Sequence, residues 1–146
     1  RPVALSRDEQ TIAASLLWLL RGDAGQRALT AWSMGWKPAQ QASGTNWQGA
    51  YLARLLADPY DAVRRISYRS LRSLPGFAPF ASDLQAPLAT RRLEATRATG
   101  LWWQASRAGG WRTDRELMFD ADGVPNEDLI ARLTRSRDDR PIVLRE

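Results

Sequence analysis

The chain has 146 residues, 44% of them hydrophobic and 25% charged, the size and balance of one folded domain. It carries no cysteine and no histidine, which excludes disulfides, cysteine–histidine zinc sites, haem attachment through CxxCH, thiol nucleophiles and every histidine-dependent triad. Lys plus Arg is 21 against 16 acidic residues, and only Lys37 is a lysine; a net charge of +5 spread along the chain is a weak nucleic-acid signature.

The N-terminal RPVAL is read as extended, because Pro2 disfavours helix before it. Ser6 and Glu9 have the spacing of a capping box, and Ile12, Leu16, Leu19 and Leu20 make one apolar face up to Gly22. The run from Ile12 to Leu20 is too short and too broken to span a membrane. A second helix is predicted from Asp23 through Leu29, Trp32 and Trp36, ending before Pro38, with 37–44 as a loop. A third begins near Thr45 or Asn46, with Trp47, Tyr51, Leu52, Leu55 and Leu56 on its apolar side.

The stretch from Leu55 to Phe77 carries the fullest punctuation. Two leucines close one helix; Asp58 stands as a cap and Pro59 as the first residue of the next. Val63, Ile66, Leu71 and Leu74 follow helical spacing, with Ser67 and Ser70 between them, until Pro75-Gly76 stops the helix. After a turn segment at 77–83, a fifth helix is predicted from Pro87 through Leu88, Leu93 and Leu101, with Gly100 as a point of interruption and 107–113 as flexible punctuation. A short extended piece over 116–119, the Asp120–Gly123 turn, a helix capped by Asn126, and a final extended RPIVL complete the chain. That last run echoes the opening RPVAL.

The Asp58-Pro59 corner, the Val63-Arg64 pair and the helix to Leu74 resemble the HEAT-type helical repeat. The resemblance implies that Asp58 caps the second helix and that Arg64 bonds to the neighbouring hairpin. Residues 6–36 and 45–74 then read as successive helical hairpins at the roughly 40-residue period of HEAT and armadillo arrays. The expected fold is all-α, a right-handed α-solenoid-like stack of hairpins with a less regular C-terminal third, as a single domain over 1–146. Because the chain begins at Arg1 instead of Met, it reads as a piece of a longer protein. Taken together, LLWLLRGDAGQRALTAWSMGW, LLADPYDAVRRISYRSLRSLPGF, ELMFDADG and RDDRPIVL resemble the helical C-terminal part of large bacterial multihaem c-type cytochrome-like proteins. This second resemblance implies a periplasmic location and places any haem elsewhere in the longer protein.

Candidate sites follow from spacing. Arg65, Arg69 and Arg72 recur at i, i+4 and i+7 on one helix face; with Arg91 and Arg92 they make a candidate surface for an anionic partner, or simply a solvated face. Trp102, Trp103 and Trp111 flank the glycine-rich break, and two of the three are expected to pack under the C-terminal segment; base stacking on them among arginines describes the alternative, a HEAT-like nucleic-acid-binding domain or an alkylpurine DNA glycosylase-like enzyme, which rests on fold analogy. Trp18, Trp32 and Trp36 are expected in the core, and Trp47 half exposed. The Asp120-Ala121-Asp122-Gly123 run fails the calcium-loop pattern at its fifth, sixth and twelfth positions and reads as a tight turn. No catalytic residue and no metal ligand set emerges. The favoured function is a non-catalytic protein-interaction or scaffold module, without cofactor in this chain, whose partner is a protein or another domain of the longer polypeptide.

Overall fold

The computed structural model describes residues 3–141, so residues 1–2 and 142–146, and with them parts of both runs of the terminal echo, lie outside the described residues. Among the described residues the fold is all-helical: eight α-helices, two 3-10 helices, no strand, and one isolated bridge between Phe119 and Pro125. The chain divides into two compact units, one of residues 1–27 with 112–146 and one of residues 28–111.

In the first unit, α1 (Arg7–Thr11) opens on the expected capping box: the Glu9 N–H donates to Ser6 Oγ at 3.2 Å, and the Ser6 N–H to Glu9 Oε2 at 2.7 Å. The single helix predicted through Leu20 is broken at Ile12. There the Ala13 N–H leaves the helical ladder and donates to the Glu116 carbonyl at 2.9 Å, so α2 (Ala14–Arg21) starts afresh. Leu16, Leu17, Leu19 and Leu20 are buried, leaving Trp18 half exposed on the opposite side. α3 (Ala24–Met34) begins behind a second capping box, in which Asp23 Oδ1 accepts from the Gln26 N–H at 2.8 Å and Gln26 Oε1 from the Asp23 N–H at 3.0 Å. α8 (Glu127–Arg135) starts at Asn126, whose Oδ1 accepts from the Leu129 N–H, and buries Ile130 and Leu133. The extended piece expected over 116–119 is instead a 3-10 turn (Arg115–Leu117) followed by Met118 in the left-handed region, φ 63°.

The second unit is built on a tight run of small and apolar residues. α5 (Gly49–Leu52) passes directly into a 3-10 helix (Ala53–Ala57), so the third predicted helix is real but narrows in its second half. Every residue from Gly49 to Ala53 is buried, and this run packs against α6 (Asp61–Arg72) and α7 (Leu88–Gly109). Contact is close because the residues are small: a Cβ at Gly49 would stand 2.9 Å from Trp102 Cδ1. α7 runs 22 residues without a break at Gly100, where an added Cβ would meet nothing within 4 Å, and continues into the stretch expected as loose punctuation.

One segment departs furthest from expectation. Residues 37–43 form a helix, α4 (Lys37–Ser43), with Pro38 in its first turn and Trp36 as N-cap; α3 stops at Met34. Proline suits a helix start because its missing N–H has no intrahelical partner there.

Candidate functional site

Trp18, Trp32 and Trp36 are not core residues. Trp32 and Trp36 are 51% and 52% exposed, and Leu29, one turn before Trp32, is 60% exposed. The reason lies in how α3 meets α6. Ser70 Oγ donates to the Ala31 carbonyl at 2.6 Å, and a Cβ on Gly35 would fall 2.5 Å from Ser70 Oγ and 3.1 Å from Ser70 Cα. A seam of Ala31, Gly35 and Ser70 brings the two backbones too close for an indole to pass between them. Trp32 is therefore displaced to the outer side of α3, and Trp36 stands beside it in the turn that follows. Trp47, expected half exposed, is buried, with its Nε1–H donating to the Ser43 carbonyl at 3.1 Å.

The result is an open cleft of about 400 Å³ on the second unit. It is lined by Trp32, Gly35 and Trp36 on one side and by Ile66, Arg69, Ser70 and Ser73 of the α6 region on the other. The two indoles stack on each other with centroids 6.2 Å apart and planes inclined by 19°. Among the described residues the Arg69 side chain has no hydrogen-bond or ion-pair partner.

The other arginines of the expected stripe are committed elsewhere. Arg65 pairs with Asp61 at 2.7 Å; Arg72 donates to the Ala78 carbonyl at 2.8 and 3.2 Å and lies 5.5 Å over the Tyr68 ring. Arg91 donates to the carbonyls of Ala86 and Asp58, both at 3.0 Å. Arg92 is exposed and unpartnered among the described residues.

At the corner, α6 begins at Asp61 with Tyr60 as N-cap, so Pro59 precedes the helix instead of opening it. Asp58 is buried, and its Oδ1 accepts from the Tyr60 N–H at 3.0 Å, fixing the turn ahead of the helix. Arg64 is buried and turns its guanidinium back to the carbonyls of Asp58 (2.9 Å) and Pro59 (3.0 Å) and forward to that of Leu84 (2.9 Å). The contact expected toward the preceding hairpin is replaced by this clamp, which holds the corner to the loop that follows α6. Val63 is fully buried beside it. The four-residue motif is thus a structural joint.

No family model, curated protein or solved structure matches the chain.

Of the C-terminal tryptophans, Trp102 is buried with its Nε1–H on the Asn46 carbonyl at 2.8 Å, while Trp103 and Trp111 are partly exposed with Arg107 at 3.8 and 4.2 Å from their ring centres. Arg107 thus covers one face of each ring. The Asp120–Gly123 segment is the expected tight turn: Asp120 Oδ1 accepts from the N–H groups of Asp122 and Val124, and Gly123 has φ 71°. Among the described residues no group of three or more His, Cys, Asp or Glu is placed to hold a metal ion.

Carboxylates across the chain are tied to guanidinium groups. Arg132 grips Asp8 with two bonds, 2.9 and 3.0 Å, and Arg21 adds a third at 3.3 Å; hydrogen bonding from Arg132, aided by both charges, holds the Asp8 carboxyl below its usual range. Arg97 does the same for Glu94, and Arg112 for Asp114. Arg140 brings Asp138 down to about 2. A carboxyl whose folded-state pKa is depressed lends stability above its ordinary value, near 4, and loses it as pH falls through the folded pKa. With no histidine in the sequence, nothing in these networks titrates between about pH 5 and 8. The thermal midpoint, followed by circular dichroism across a pH series, is therefore expected to be flat over that interval and to fall below about pH 4. A step centred near pH 6.5 would contradict it.

Proposed function

We propose that this chain is a non-catalytic protein-interaction module, a right-handed stack of HEAT-type hairpins within a larger protein of the multihaem electron-transfer kind. The observation that carries the interaction reading is the outer face of α3. Leu29 and Trp32 lie on it one turn apart and Trp36 follows in the turn after α3, each at least half exposed, beside a guanidinium with no partner among the described residues. Large apolar side chains grouped on a surface are more stable covered than wet. The electron-transfer setting rests on the resemblance of the four sequence segments. The sequence offers neither the thiols that attach c-type haem nor an imidazole to ligate it. In this reading haem belongs to another part of the polypeptide and the compartment is the periplasm.

The rival, a nucleic-acid-binding or base-excising domain, has less to stand on. Of its five candidate arginines only Arg69 and Arg92 lack a partner among the described residues. Two measurements separate the readings. The natural full-length polypeptide is expected to carry CxxCH motifs, and their absence would remove the electron-transfer assignment. The purified chain is expected to bind duplex DNA weakly and to release no alkylated base. Tight binding that declines steeply with salt, or base release, would overturn the module reading in favour of the rival.

A further inference from the structure

We propose that the Trp32–Trp36–Arg69 cleft receives an acidic–apolar peptide segment of a partner protein, with an apolar side chain against the indoles and a carboxylate on Arg69. This deepens, and rests on, the interaction-module reading. Three observations point to that chemistry.

The first is shape. A cleft of about 400 Å³ is within the usual range of ligand sites, about 300–1,000 Å³, and is large enough for one or two side chains. Within it Gly35 and Ser70 approach too closely for a Cβ at Gly35, and the Ser70 Oγ bond to the Ala31 carbonyl ties α3 to α6.

The second is charge. No acidic residue occurs between Asp23 and Asp58, so neither α3 nor α4 carries a carboxylate; the nearest in sequence, Asp23, stands ahead of α3 in its own capping box with Gln26. On α6 the one acid is Asp61, which is already bonded to Arg65 and Gln85. Arg69 therefore has no carboxylate of this unit's helices α3, α4 or α6 to neutralise it, and exposed Lys37 follows Trp36 directly. A guanidinium beside an apolar wall recognises a carboxylate through charge-assisted, often two-point hydrogen bonding.

The third distinguishes a peptide from a nucleic acid. A single strand needs a run of cations for successive phosphates and aromatic faces held open for bases. Here Arg65 and Arg72 are occupied by Asp61 and the Ala78 carbonyl, and the two indoles are stacked on each other. What remains is Arg69 with Lys37 at the edge, too few cations for a run of phosphates, and one apolar ledge.

The test uses the full chain and three dye-labelled probes read by fluorescence anisotropy: a peptide of alternating Asp and Leu or Phe, the same peptide with Asn for Asp, and an oligothymidylate. The acidic peptide should bind best. Arg69→Glu, Trp32→Ala and Trp36→Ala should each weaken it by about tenfold or more, the scale of a lost anchor contact. Arg69→Lys should retain part of the affinity, and Arg92→Glu, which leaves the cleft intact, should change nothing. These positions are exposed, and unchanged circular dichroism will confirm that each variant folds. Equal binding of the Asn peptide through Trp32 and Trp36 overturns the carboxylate assignment while leaving an apolar docking face and the module reading in place. Preference for oligothymidylate, lost in Arg69→Glu, overturns both. Failure of all three probes overturns the peptide proposal alone.

Discussion

Arg64→Met should lower the stability of the chain by about 3 kcal/mol, measured by denaturant unfolding. Methionine keeps much of the buried volume and removes the donors, so the loss isolates hydrogen bonding from packing. Three carbonyls accept from this guanidinium, and only that of Asp58 keeps a second donor, from Arg91. The part-buried carbonyls of Pro59 and Leu84 lose theirs, and the buried bond to Asp58 goes with them; each hydrogen bond from a charged donor is worth about 1.5–3 kcal/mol before water compensates at the two outer carbonyls. Arg64→Lys should recover little, because one ammonium cannot reach carbonyls lying in two directions as the planar fork does. The control is Arg65→Ala, which breaks an exposed i,i+4 pair with Asp61 and should cost less than about 0.5 kcal/mol. If the two losses were equal, the clamp would not be what holds the corner.

Arg27→Met should act on the first unit with similar force, again about 3 kcal/mol. The Arg27 side chain is wholly buried. Its Nη1 donates to the carbonyls of Gly22 at 2.7 Å and Asp138 at 3.0 Å, and its Nη2 meets Asp139 at 3.3 Å. Here the clamp spans almost the whole length of this unit in sequence, from the end of α2 to the segment after α8. Its loss should therefore free that segment before the rest unfolds. Limited trypsin digestion should show it as faster cleavage after Arg135 and Arg137, with the helices of the second unit cut at the original rate. Unchanged digestion would mean that the Asp138 N–H bond to the Arg21 carbonyl, at 3.2 Å, suffices alone.

These clamps explain much of what the sequence concealed. Local signals were legible wherever a side chain acts on its own neighbourhood. Ser6 with Glu9, Asn126, the Asp120 turn and the apolar spacing of α6 all appear as read. Features set by distant backbone were not. The break after Ile12 follows from a bond to the Glu116 carbonyl, and nothing in the residues around Ile12 announces it. Pro38 serves equally to end one helix or to begin another, so the sequence alone leaves α4 ambiguous. The candidate cleft was hidden for a related reason. Tryptophan on an apolar face normally belongs in the core, and only the contact of Gly35 with Ser70 shows that this core side is sealed by small residues. The clue lay in the small residues, Ala31 on α3 and Gly35 just after it, with Ser67 and Ser70 on α6.

The arginine content likewise reads differently once its targets are known. Arg27, Arg54, Arg64, Arg72, Arg91 and Arg97 each donate to at least one main-chain carbonyl. Short helices and long turns leave many such acceptors without ladder partners, and a five-donor fork satisfies several at once. Part of this chain's basicity thus serves to finish its backbone, and part to pair its carboxylates.

That preference for arginine leaves a practical handle. Lys37 is the only side-chain amine in the sequence; it is exposed, immediately after Trp36 at the start of α4. Amine-reactive dyes, spin labels or cross-linkers will therefore modify side chains at one place, the edge of the aromatic ledge, without any engineered cysteine. A reporter installed there would sense occupancy of the face directly. A cross-linker of short reach would join the chain covalently to whatever covers Trp36.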